Sequence, residues 1–255
     1  MKDAMSLDER MKVFYEGIPQ IRLIRRMPVI IRIDGKAFHT FLRGFEVPFD
    51  DVFISAMQNT AKYLCEHIQG CVLAYTESDE ISLILVDYQK LDTDAWFDNE
   101  VQKICSVSAS MATMAFNREL NKAIPCLRVN GKNTYVYEEA VEKGAMFDAR
   151  CFNIPKEEVT NYIYWRQRDA SRNSVQMVGR AYFSHSQLKN KNNSQIQDML
   201  MEQHNVNWNN FPTHKKRGTC VIRDPETSKW VIDMNIPIFK GEDREYIERT
   251  FMVGE

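Results

Sequence analysis

The sequence predicts an α+β protein: a palm-like (ferredoxin-like) β-α-β-β-α-β sheet with helices on one face and a C-terminal helical and hairpin appendage. Three observations carry this. Ile30 to Ile33, within a β-branched run, reads as a buried strand that ends in an acidic turn at Asp34 and Gly35. CVLAYT and ISLILV read as two short strands pinched together at Ser78, Asp79 and Glu80. Between these features, Phe53, Met57, Ala61, Leu64 and Ile68 form one helical stripe, long enough for a crossover between parallel strands.

Each element has its own signal. In LDERMKVFYEG, Leu7, Met11 and Phe14 stand at helical spacing; Asp8 and Glu9 fall where the helix dipole favours negative charge, and Gly17 and Pro19 close the helix. GKAFHTFLRGFEVPF has no clean period and reads as a loop or short helical turn against the sheet end. Asp50 or Asp51 caps the crossover helix and Gly70 ends it. This order sets the Ile30 and Val72 strands parallel and adjacent, with the hairpin adding an antiparallel neighbour. A second long helix is expected from near Thr93 toward Leu120, with Phe97, Val101, Ile104, Met111 and Ala115 inward. Strands around Cys126 to Val129 and Arg150 to Ile154 complete the sheet. Beyond Pro155 comes a helix with Glu157 and Glu158 in its first turn, then a polar break from Lys189 to Asn193 and a shorter helix from Ser194. GTCVIRD and WVIDM form a hairpin about PETSK.

Composition bounds the function. A chain of 255 residues that is 44% hydrophobic buries a sizeable core. No run approaches the roughly 18 apolar residues of a membrane span, and MKDAMSLDERMK is too charged for a signal peptide, so no membrane partner and a cytoplasmic location are expected. The six cysteines form no CxxC pair and are expected to be reduced structural thiols. A net charge of −2 exerts no overall pull on nucleic acid.

The chemistry-bearing pair is Asp34 and Asp79. Two carboxylates from a strand end and a hairpin tip, backed by sheet, suit a site for two Mg²⁺ ions. Magnesium takes a few carboxylates plus waters and phosphate oxygens, and the Gly35 carbonyl is open to approach because no side chain guards it. Asp-Gly and Ser-Asp-Glu are each common turns, and either alone is more often structural. Their combination, joined by one crossover helix that sets both turns at one sheet edge, says more. His67, His185, His204 and His214 have no carboxylate or cysteine partners at metal spacing and read as surface or packing residues.

RIDGKAFHTF, YTESDEISL, FDARCFNIP and WRQRDASRN together resemble the tRNA(His) guanylyltransferase family, over roughly Leu7 to Val221. The resemblance implies a catalytic domain like the palm of polymerases at residues 1–155, on which residues 156–255 pack as C-terminal helices and a hairpin without forming an independent domain. It implies addition of nucleotides to tRNA 5′ ends in the 3′-5′ direction, with ATP and GTP as substrates, and an assembly that is commonly a tetramer. Asp34 and Asp79 would bind both metals, the Gly35 carbonyl one of them, and Glu80 would support the catalytic pair. Asp34, Gly35, Lys36, Ala37, Phe38 and His39, with Ser78 and Asp79, would cradle the incoming nucleotide through backbone amides and the Phe38 ring. Lys103, Ser110, Arg150, Asp169 and Asn173 would handle a second triphosphate, required because the growing RNA end itself carries the activating phosphates.

One departure bears on the substrate. Family members that add the extra guanosine to tRNA(His) carry His-Ile-Asn-Asn where this chain has Ser171, Arg172, Asn173 and Ser174. That pattern resembles the guanylyltransferase-like proteins, which rebuild truncated tRNA 5′ ends against a template. A dedicated tRNA(His) guanylyltransferase is the alternative. An inactive nucleotide- or RNA-binding palm is disfavoured by the intact carboxylates, and a cyclase by a hairpin that lacks glycine. THKKR, from Thr213 to Arg217, reads as a solvated basic loop first and as a tRNA-backbone contact second.

Overall fold

In the computed structural model, which describes residues 5–253, the strands are β1 Val29–Gly35, β2 Cys71–Glu77, β3 Glu80–Leu85, β4 Phe147–Asn153, β5 Thr219–Arg223 and β6 Trp230–Asp233. The helices are α1 Leu7–Met11, α2 Phe38–Phe41, α3 Asp51–His67, α4 Val101–Val129, α5 Tyr135–Lys143, α6 Lys156–Tyr182, α7 His185–Leu188, α8 Asn193–His204, α9 Thr213–Arg217 and α10 Glu245–Phe251. One sheet holds all six strands in the order β4-β1-β3-β2-β5-β6. The expected β-α-β-β-α-β unit is β1-α3-β2-β3-α4-β4.

The strand order corrects one expectation. β1 and β2 run parallel but are not adjacent, because β3 lies between them and pairs antiparallel with both. Every neighbour in the sheet is thereby antiparallel, which gives the more favourable ladder.

Strand alternation sends the two sets of apolar side chains to opposite faces. Ile31, Ile33, Ile81 and Leu83 meet Met57, Ala61 and Leu64 of α3 and Ile104, Phe116 and Leu120 of α4. On the other face Ile30, Tyr75 and Ile84 meet Val159 and Ile163 of α6, and Ile247 and Phe251 of α10. The crossover helices thus lie on one face, and the C-terminal helices cover the second. β5 pairs with β2, Leu73 opposite Ile222, so the β5–β6 hairpin extends the sheet.

Two elements differ from the sequence reading. No strand forms at Cys126 to Val129: α4 continues through Pro125, because Phe116, Leu120, Ile124 and Leu127 bury one helical stripe that outweighs the proline. Nor does a helix begin at Thr93. Phe97, Asp98 and Asn99 take left-handed φ values of 49°, 49° and 58°, and the backbone of Asn99 and Val101 bonds instead to Leu23 and Ile21 at 2.9 Å. The Asp50 cap holds, its carboxylate accepting the Phe53 amide at 2.8 Å, and α1 carries a reciprocal Ser6–Glu9 cap that the sequence reading did not include. Leu7 and Met11 lie on α1, but Phe14 falls on a π-helical turn, Lys12–Glu16, that replaces the expected α-helix there, and all three are exposed.

Candidate active site

The β1–β3 register sets Asp34 opposite Glu80, one residue beyond Asp79. The Gly35 amide donates to the Asp79 carbonyl at 3.0 Å, which ties the strand end to the hairpin tip and brings the two predicted carboxylates to one edge. Burial pushes the Asp79 carboxyl above its ordinary value, and the neighbouring Asp34 charge adds to the rise. The cations near Asp34 are distant, Arg150 at 3.8 Å and Arg32 at 3.9 Å. Asp79 has no ion-pair partner among the described residues. Two under-compensated carboxylates, hard oxygen donors with Asp34 partly open to solvent, fit Mg²⁺. No group of three or more His, Cys, Asp or Glu among the described residues is placed to hold a metal, so the remaining ligands would be backbone carbonyl, water and phosphate oxygens.

Glu80 is a different kind of carboxylate. It is buried, accepts both arms of the Arg166 guanidinium at 2.7 and 2.6 Å, and pairs with Arg32 at 2.6 Å. Such a group is fixed in place and holds the base of the hairpin against α6. Glu80 is therefore placed to position Asp79 rather than to meet substrate. Arg166 also approaches Glu77 at 3.4 Å and Asp169 at 3.3 Å. One guanidinium cannot compensate three carboxylates, and burial together with the Glu80 charge raises the Glu77 carboxyl to about 8. The sequence reading missed Arg32, Arg166 and Glu77. The available signal was chemical: arginines inside apolar strand and helix patterns, at VIIRI and IYWRQ, require buried acidic partners.

The turn after Asp34 corrects the expected role of Phe38. Its ring is 2% exposed and packs on Phe41, Phe53, Phe116 and Phe147 at centroid distances of 5.0–6.0 Å. It is a core residue that faces away from solvent, so only its backbone is placed to touch a nucleotide. Gly35 is required for the same reason, since a Cβ there would come within 2.3 Å of the Phe38 ring. Lys36 donates its amide to the Met146 carbonyl at 2.8 Å, Ala37 takes a left-handed φ of 55°, and Lys36 and His39 are exposed in the segment that follows Asp34.

The residues expected at a second triphosphate fall into separate settings. Arg150 stands by Asp34 and also pairs with Asp148 at 3.2 Å. Asp169 is held by Arg166 and Arg172. Lys103 pairs with Glu100 at 3.2 Å, and the Ser110 hydroxyl donates to the Ser106 carbonyl at 2.8 Å, both local to α4. Asn173 lines a largely apolar cleft of about 180 Å³ beside the hairpin, with Ser78, Glu77, Phe49, Met177 and His214. The THKKR run is α9 rather than a solvated loop. Lys215 pairs with Asp51 at 2.6 Å, Lys216 donates to the Asn209 carbonyl at 2.5 Å, and the Arg217 carbonyl accepts the Tyr75 hydroxyl at 2.5 Å. All six cysteines are free thiols.

Comparison with known proteins identifies relatives of the whole fold. The family model described as tRNAHis guanylyltransferase matches residues 8–155. A probable tRNA(His) guanylyltransferase of Dictyostelium discoideum is 27% identical over 91% of this chain and 88% of its own length. Two solved structures of bacterial tRNA(His) guanylyltransferase-like protein superpose on the chain. The one in complex with ATP is 44% identical, with a TM-score of 0.84, over 96% of this chain and 98% of that one. The one in complex with GTP is 39% identical, with a TM-score of 0.76, over 97% and 100%.

Proposed function

Because the chain belongs to the tRNA(His) guanylyltransferase family and is a nucleotidyltransferase, we propose that it adds nucleotides to tRNA 5′ ends in the 3′-5′ direction, using Mg²⁺, ATP and GTP, and that its preferred task is templated repair of truncated 5′ ends. The joining of Asp34 to Asp79 through the Gly35 amide carries this reading. Bound at that edge, Mg²⁺ would lower the pKa of the attacking 3′-hydroxyl and neutralise the departing phosphates. The protein's own contribution is orientation. Asp34 and Asp79 present fixed oxygens, Arg166 and Arg32 lock the hairpin through Glu80, and Lys36, His39 and Arg150 line the edge where phosphates would lie. The apolar cleft beside Ser78 suits a nucleobase.

The preference for repair is supported at Ser171 to Ser174. Here Arg172 pairs with Asp169, and the Ser174 hydroxyl donates to the Lys216 carbonyl at 3.2 Å while accepting the Trp208 indole N–H at 3.0 Å. The histidine and second asparagine of the guanosine-adding pattern are absent. Offering 5′-truncated tRNA and full-length tRNA(His) side by side, with each nucleotide, tests direction, template use and preference together. Faster guanosine addition to full-length tRNA(His) would overturn the preference and favour a dedicated guanylyltransferase.

Two coarser features belong to the same proposal. Residues 156–255 are not an independent domain, a reading supported by the β5–β2 pairing and the buried Arg166–Glu80 contact. The protein acts as a homo-oligomer in the cytoplasm. Support for self-association comes from Leu7, Met11, Phe14, Ile18 and Ile21, all exposed on the N-terminal arm, and support for a soluble setting from the absence, among the described residues, of any helix long and apolar enough to cross a membrane. A fully active monomer by solution mass measurement would refute the assembly.

A further inference from the structure

An enzyme that extends RNA must hold a polyanion, yet this chain has a net charge of −2 and its densest basic run is engaged within the fold. The opposite end of the sheet gathers cations that are not so engaged. Where β2 begins, an open cleft of about 620 Å³ is lined by Arg223 at the end of β5, Arg249 of α10, Gln89 and Thr250, and by no Asp or Glu among the described residues. The Arg223 guanidinium lies 4.7 Å from the Trp230 ring centroid, and that of Arg249 lies 5.2 Å from Tyr246. Apart from a 3.4 Å contact between Arg223 and the Ser228 carbonyl, their donors have no protein partner among the described residues. The adjoining carboxylates are directed elsewhere. Asp224 accepts the amides of Glu226 and Thr227 at 3.1 and 2.7 Å, and Glu248 pairs with Arg244 at 3.1 Å.

We propose that Arg223 and Arg249 form a phosphodiester-binding site that holds the RNA backbone away from the reacting 5′ end. β2 spans seven residues from Cys71 to Glu77, so at about 3.3 Å per residue the cleft lies roughly 20 Å from the hairpin tip. Guanidinium forks match phosphate oxygens, and stacking on aromatic rings orients them before the ligand arrives. The cleft is larger than one phosphate ion needs and open to solvent, as a passing chain requires. Two guanidiniums from different elements, unopposed by carboxylate, produce a local attraction that bulk charge conceals.

This inference rests on RNA being the substrate, and the experiment separates the two ideas. Binding of fluorescently labelled tRNA is measured from 50 to 200 mM salt for the wild type, for Arg223→Gln/Arg249→Gln and for the exposed single change Arg249→Gln, with ATP binding as the control. The double variant is expected to bind tRNA about tenfold more weakly, with the slope of log K against log salt reduced by about two and the single by about one, since each phosphate contact contributes about 0.9. ATP binding should be unchanged, and Lys at both positions should recover part of the affinity. Folded variants with wild-type tRNA affinity and salt slope would overturn the site. So would a variant that loses binding of inorganic phosphate but keeps that of tRNA, which would mark a free-anion pocket. A wild type that binds no tRNA would refute the substrate reading itself.

Discussion

The two ends of the sheet use charged side chains in opposite ways. At the hairpin end, Arg32 and Arg166 are bound to Glu80 at 2.6–2.7 Å, while Asp34 has only contacts of 3.8–3.9 Å. At the far end, Arg223 and Arg249 face aromatic rings instead of carboxylates. The difference shows that a charged residue is interpreted by its partner rather than by its type. A short, buried ion pair fixes geometry, and a charge left under-compensated is available to a ligand. By this rule the proposed function assigns Glu80 to the scaffold and Asp34 and Asp79 to the chemistry.

The largest expected effect breaks or keeps that distinction. Asp34→Asn and Asp79→Asn should each lower nucleotide addition by on the order of 10³-fold or more, equivalent to several kcal/mol of lost charge stabilisation, with the melting temperature unchanged or raised because a carboxylate repulsion is relieved. Retention of a tenth of the activity in Asp79→Asn would make it another structural carboxylate. Arg166→Met should lower unfolding stability by about 3–5 kcal/mol in urea titrations, because the buried Glu80 loses a two-point partner and keeps only Arg32. Arg166→Lys should cost less in stability but still impair addition, since one ammonium cannot hold both Glu80 oxygens.

A pH series sharpens the same contrast. With the Glu77 carboxyl near 8 in the folded protein and 4.5 as its ordinary value, the native state holds the extra proton between these limits. Stability in EDTA should therefore fall as pH rises from about 5 to 8, by at most about 1.4 kcal/mol per unit, and Glu77→Gln should flatten that slope. An unchanged slope in the variant would assign the dependence to another group. The smallest effect concerns Phe38. Phe38→Leu should cost on the order of 1–2 kcal/mol of stability while leaving the KM for the incoming nucleotide within about twofold. A rise of tenfold in KM would mean that the ring contacts the nucleotide after all.

Much of this architecture was legible because its signals are local. The β-branched run marked β1, the Ser78–Asp79 turn marked the hairpin, and the Phe53 to Leu64 stripe with its Asp50 cap marked α3. The reading failed at Cys126 to Val129, where a strand was expected but the stripe continuing from Phe116 to Leu127 carries α4 through Pro125. The Thr93 to Glu100 segment failed for another reason, since its backbone groups are claimed by Ile21 and Leu23, distant in sequence. Phe38 looked available from its place beside Asp34 and Gly35, yet the Phe41 ring of its own helix and three aromatic rings from three other elements enclose it.

By itself the sequence determined the crossover helix α3, the helix after Pro155, the hairpin and the presence of two carboxylates at strand ends, because periodicity, capping and turn chemistry act over a few residues; it did not mark α5, α9 or α10. It also carried the motifs by which the family is identified. Tertiary structure alone decided which charges are neutralised. Arg166 meets Glu80 across 86 positions of chain, α9 turns its lysines inward, and Arg223 and Arg249 come together from a strand and a helix. Electrostatic partnership acts through space over a few ångströms, so only the folded chain reveals which carboxylates are held and which cations remain to meet a ligand.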